Sequence, residues 1–154
     1  MPRTEARVDE EKLRKIHSEH TTVGCSLALA EWREKVIEAY AELTKVAREG
    51  KLITYGELGA NKLKIPLELL YARVGWITAA CTAYEYLGNR PLLSALAVNK
   101  MNGRPGKGFW GLAAVPAHLR IVVNIGDASL HKISANQEAF WKEEVARIYK
   151  QWQG

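Results

Sequence analysis

The sequence predicts an α+β domain, mainly helical with a small β-sheet, arranged as a winged helix-turn-helix with added N- and C-terminal helices. Three observations lead there. Apolar residues recur at three- and four-residue steps over 26–50, 67–87 and 134–152, the period of amphipathic helices. Two short apolar stretches, 92–98 and 119–125, flank a glycine-rich basic segment, as two strands flank a loop. The order is helices first and strands after, with one more helix closing the chain. In a winged helix the second helix of the pair enters the major groove and the loop of the ribbon touches backbone or minor groove.

At 154 residues, 47% hydrophobic and 25% charged, the chain can bury one core without metal or disulfide staples. Residues 1–25 read as an N-terminal helical arm, with Val8, Leu13 and Ile16 as a thin apolar stripe, and 26–154 as a single winged-helix-like domain. In the helix Ser26–Gly50, Leu29, Trp32, Val36, Tyr40, Leu43 and Val46 form the apolar face, and Gly50 suits the C′ position. After a strand-like link at Leu52-Ile53, Thr54 and Glu57 have capping-box spacing, so a short helix should run to Asn61 or Lys62. Pro66 fits the first position of the next helix, Leu67–Leu87, whose buried side is Leu70, Val74, Ile77 and Ala80–Cys81. Gly88 closes it. Leu92–Val98 is then a buried strand, 100–108 a loop, Phe109–Ala114 a helical turn and Leu119–Ile125 a second strand. The last helix starts at Ser134, with Gln137 as capping partner and Trp141, Val145, Ile148 and Trp152 as its seam.

Charge points to function. The chain carries 22 Lys+Arg against 17 Asp+Glu. Between Glu85 and Asp127 there is no acid, while Arg90, Lys100, Arg104, Lys107 and Arg120 fall inside; those five account for the whole net charge of +5. A solvated face mixes both signs, so a one-sign window suggests a polyanion partner. Within it, Gly103, Gly106 and Gly108 let the backbone approach a ligand, and Lys100, Arg104 and Lys107 supply charge. Asn99 would read a base edge or satisfy a turn. Trp110, beside Phe109 and the loop, is a candidate stacking platform; Trp32, Trp141 and Trp152 fall on apolar seams and read as core.

Gly50-Lys51-Leu52-Ile53-Thr54-Tyr55-Gly56-Glu57-Leu58, Ala72-Arg73-Val74-Gly75 and Asn89-Arg90-Pro91-Leu92-Leu93 come in an order that resembles the DNA-binding domain of the O6-alkylguanine DNA alkyltransferases and alkyltransferase-like proteins. The likeness covers roughly residues 35–110, with gaps. It implies that Tyr55 sits by a phosphate at the target nucleotide, and that Arg73 fills the stack when a base is flipped. The chain departs from those enzymes at the reacting group. Leu96-Ala97-Val98-Asn99-Lys100 stands where they carry Pro-Cys-His-Arg, and alkyl transfer needs a thiolate nucleophile.

Other constellations are thin. His17, His20 and Cys25 have loosely metal-like spacing without a fourth ligand, so no metal or other cofactor is expected. Glu138, Glu143 and Glu144 read as the acidic outer face of the last helix. Cys25 and Cys81 are expected reduced and buried. No apolar run reaches bilayer length and the N-terminus lacks a signal-peptide core, so a cytoplasmic location with no membrane contact is expected. The expected function is non-enzymatic binding of duplex DNA, with distorted or flipped bases as targets, through Tyr55, Arg73, Asn99, Lys100, Arg104, Lys107 and Trp110. Two alternatives remain. One is a nucleic-acid- or nucleotide-processing enzyme, with Asn99, Lys100, Arg104 and a glutamate of the last helix as its site. The other is a phage or defence-system adaptor whose basic loop meets an acidic protein.

Overall fold

The computed structural model describes residues 9–22, 24–106, 109 and 135–153. These residues are mainly helical and include one two-stranded parallel sheet. In chain order they are α1 (Glu10–Thr22), α2 (Leu29–Arg48), β1 (Ile53–Thr54), a π-helical turn Glu57–Lys62, a 3-10 turn Leu67–Leu69, α3 (Leu70–Leu87), a 3-10 turn Leu93–Leu96, β2 (Ala97–Val98) and α4 (Ala135–Gln153).

Helix α1 opens on Asp9, whose carboxylate accepts from the Glu11 and Lys12 amides at 3.1 and 3.2 Å. Its thin stripe is enough to dock it. Leu13, Ile16 and His20 are buried, and α1 packs against α2 and α3. An ion pair between Arg33 and Glu10 spans the outside of that contact.

Helix α2 ends as its glycine predicts. Gly50 has φ +67, the Gly50 amide donates to Ala47 and the Lys51 amide to Val46, the paired bonds of a Schellman cap. Trp32, Val36, Ala39 and Leu43 carry its buried face, while Leu29 lies near the exposed end of the stripe.

The Thr54 cap is half realised. The Glu57 amide donates to Thr54 Oγ1 at 3.1 Å, and the Glu57 carboxylate accepts from Asn61. Helix α3 then runs through the middle of the molecule, touching α1, α2 and the Leu93–Leu96 turn. Its expected buried side is buried at Leu70, Val74, Ile77, Ala80 and Cys81, and so are Thr78, Ala79, Thr82 and Glu85. In α4, Trp141 and Ile148 are buried and Val145 and Trp152 partly so.

The run Leu92–Val98 is not the strand that its composition suggests. Only Ala97–Val98 is extended; Leu93–Leu96 is a 3-10 turn. Every residue from Leu92 to Val98 is buried, so the run lacks the alternation that separates a strand from a helical turn. Side chains from elsewhere satisfy its backbone. Glu144 accepts from the Leu92 amide at 2.9 Å, Thr82 from the Ser94 amide at 2.9 Å, and Trp141 Nε1 donates to the Ala95 carbonyl at 2.8 Å.

The described sheet joins β2 to a strand that precedes α3. Strand β2 pairs in parallel with β1, with Ile53 opposite Ala97 and Thr54 opposite Val98. The stretch 119–125, the Ser134 cap and the turn beyond Phe109 lie outside the described residues. Among the described residues no helix is long and apolar enough to cross a membrane.

Candidate nucleic-acid interface

Parallel pairing brings the C-terminal ends of β1 and β2 side by side, placing Tyr55 and Asn99 at one edge of the sheet. Loop 99–106 grows from that edge. The Asn99 amide donates to the Arg104 carbonyl at 2.8 Å, and the Gly103 amide to the Asn99 carbonyl at 2.9 Å. Asn102 Oδ1 accepts from the Arg104 amide at 2.9 Å, and Gly103 takes φ +68, which a glycine adopts without strain. The result is a closed turn with Lys100, Met101, Asn102 and Gly103 exposed at its tip; Met101 is 100% exposed.

Two side chains brace the base of the turn. Tyr55 Oη accepts from the Gly106 amide at 2.9 Å, and a Cβ on Gly106 would lie 3.4 Å from the Tyr55 ring and 3.5 Å from Asn99 Nδ2. A side chain there would thus sit in ordinary contact with the Tyr55 ring. On the other side Arg104 donates to Glu138 Oε1 through Nη2 at 2.8 Å and Nε at 3.1 Å. Phe109, buried at the exit, donates its amide to Gly106 at 2.9 Å. Burial pushes the Tyr55 hydroxyl above its ordinary pKa, and the Gly106 amide opposes that only in part. The phenol thus stays neutral and keeps its proton to donate.

The expected site residues divide into two groups. Tyr55, Asn99, Lys100 and Arg104 are brought together at the sheet edge and loop. Arg73 is elsewhere: its Nη1 donates to Glu31 at 2.7 Å, and it lines a cleft that includes none of the loop residues. Lys107 and Trp110 lie outside the described residues.

Tertiary contacts also change the charge of the acid-free window. Arg90 donates through Nε to both oxygens of Glu85 at 3.0 Å, and Arg104 meets Glu138. Lys100 is the window's cation on the exposed tip without an ion-pair partner among the described residues. Sequence reading placed Glu138, Glu143 and Glu144 on an outer face, but Glu144 is buried because it accepts from the Leu92 amide, and Glu138 meets Arg104. Its partner stands 34 residues away, and no spacing rule reaches that far. Met101 carried a signal that went unread, a large apolar side chain amid Lys, Asn and Gly.

Cys25 and Cys81 are buried and free, and burial, reinforced by the Glu85 charge, pushes the Cys81 thiol up. His17 is engaged with the Leu27 carbonyl at 2.7 Å and His20 packs on Trp76. No group of three or more His, Cys, Asp or Glu among the described residues could hold a metal ion. Comparison of the chain with known proteins finds no matching family model, no matching curated protein and no matching solved structure.

Proposed function

We propose that this chain binds duplex DNA, without catalysing a reaction on it, through loop 99–106. The observation that carries the reading is the braced tip: Lys100, Met101, Asn102 and Gly103 stand exposed on a turn closed by its own hydrogen bonds and tied to Tyr55 and Glu138. A loop already held in shape loses little entropy on binding. Lys100 and Arg104 suit phosphate oxygens, and Tyr55 retains its proton for another. The net charge of +5 steers the chain toward a polyanion.

In this reading the turn Glu57–Lys62 and the helix from Leu67 form a helix-turn-helix, and the loop is the wing. The burial pattern limits how that helix is used. From Val74 onward most of α3 is core, so only its first turn, up to Arg73, can reach a groove. The loop therefore carries more of the contact than the helix does. The sequence likeness to alkyltransferase-like proteins favours distorted or flipped bases as targets, bound without alkyl transfer. A site at Asn99, Lys100 and Arg104 acting on nucleotides is the second reading. The approach of Glu138 to Arg104 favours it.

Titration of a labelled duplex at several salt concentrations tests the first reading. The log–log slope should correspond to several counterions released, and Lys100→Ala and Arg104→Ala should each lower it by about one. Absence of binding at low salt removes the proposal. Divalent-metal-dependent cleavage of the same duplex would replace it with the enzyme.

A further inference from the structure

A cleft of about 300 Å³ lies between α2, the segment following Lys62 and α3, and the DNA-binding reading uses none of it but Arg73. Leu27, Ile65, Pro66 and Ile77 form its apolar wall. Its charged lining is Lys35, Lys64 and Arg73, with Glu31 as the acid among the lining residues. Lys35 and Arg73 are each paired with a carboxylate, Glu38 and Glu31, and Lys64 leaves the cleft positive.

The cations are not equally occupied. Lys35 donates to the Leu63 carbonyl at 2.5 Å and approaches Glu38 at 3.7 Å, which holds the turn in place. Arg73 gives Glu31 one of its five donors and keeps the others. The Lys64 ammonium meets no acceptor among the described residues.

Lys64 also has φ +58. It follows the π-helical turn, where the Leu63 amide donates to Leu58 and the Ile65 amide to Gly59, both at 2.9 Å. Glycine or asparagine is favoured at such a left-handed cap, because a Cβ there costs backbone energy. A lysine in the strained position, lining a cleft that already holds two cations, points from strain toward a ligand.

We propose that this cleft binds a small organic anion. A phosphate or carboxylate head meets Lys64 and Arg73, and a compact apolar body lies on Leu27, Ile65, Pro66 and Ile77. The volume sits at the small end of ligand pockets, room for a molecule about one ring in size and too little for a folded partner. A bare inorganic ion would leave the apolar wall unused.

The full chain is titrated with phenyl phosphate and with phenylacetate, using inorganic phosphate and benzyl alcohol as the partial ligands. Saturable binding in the millimolar range or tighter is expected for at least one of the two whole ligands, with NMR shifts at the Ile65 and Ile77 amides. Tighter phenyl phosphate assigns a phosphate head; tighter phenylacetate assigns a carboxylate. Lys64→Gly and Arg73→Gln should each weaken binding about tenfold. Lys64→Gly should do so with the Tm unchanged or raised, since glycine relieves the strain. Failure of both ligands to saturate, equal binding of inorganic phosphate, or unchanged affinity in both variants would falsify the site.

Discussion

The Tyr55 hydroxyl accepts the Gly106 amide at 2.9 Å across 51 residues of sequence, joining the end of β1 to the base of the exposed loop. Tyr55→Phe removes the acceptor and keeps the ring. The Gly106 amide is then half-buried without a partner, at a cost of about 1 kcal/mol in global stability. Hydrogen exchange at Gly106 should accelerate, and duplex affinity should fall because the turn must be ordered on binding. Unchanged exchange at Gly106 would show that the brace is not what holds the loop.

Glu138 competes with any phosphate for Arg104. In Glu138→Gln the guanidinium is released, so duplex affinity should rise a few-fold, with a steeper salt dependence. Stability should hardly change, because a pair this exposed (43% and 30%) contributes about 0–1 kcal/mol. The two quantities are read by salt-dependent titration and by denaturant unfolding. A fall in affinity would mean that Glu138 positions Arg104 for binding.

Arg90 folds back over Gly88 to reach Glu85, whose side chain is 0% exposed and also accepts from the Tyr40 hydroxyl at 2.5 Å. Arg90→Ala strands that carboxylate beside a single phenol and should cost about 3 kcal/mol. A Cβ on Gly88 would stand 2.5 Å from Arg90 Nη1 and 2.7 Å from its Cζ. Gly88→Ala should therefore destabilise by an intermediate amount, through displacement of Arg90. In the Arg90→Ala background the same glycine change should be close to neutral, a double-mutant cycle measured by urea unfolding.

His20 gives the fold an acid-side dependence. It is buried against Trp76, and burial, with the nearby His17 adding to it, lowers its pKa from 6.5 to about 4. Above about pH 6.5 the ring is neutral in both states and there is no penalty. As the pH falls toward 4 the unfolded chain takes up a proton that the folded one refuses, so stability drops across that window. His20→Leu should flatten the dependence between those limits in unfolding curves. An equal slope in both proteins would assign it to the carboxylates.

The helices were legible because each carries its own period and stop signals. Trp32, Val36 and Leu43 mark α2 and Gly50 ends it; Leu70, Val74 and Ile77 mark the buried side of α3. The Leu92–Val98 run was misread as a strand throughout, because it is apolar on every side. Thr82, Glu144 and Trp141, from α3 and α4, supply hydrogen bonds to Leu92, Ser94 and Ala95, and of this run only Ala97–Val98 pairs with β1. The loop could be picked out by glycine and lysine alone, but not the charges that reach it.

The sequence by itself determined the helical segments, the buried cysteines and the basic loop, since propensity, periodicity and composition act over a few residues. Tertiary structure alone decided three things. It paired β1 with β2 in parallel, which sets Tyr55 beside Asn99. It brought Glu138 to Arg104 across 34 residues, reducing the free charge of a window that contains no acid. It also separated Arg73 from the loop and set it in the Lys64 cleft. Each depends on chain closure between residues that no local pattern relates, and on electrostatics that follow distance in space and not along the chain.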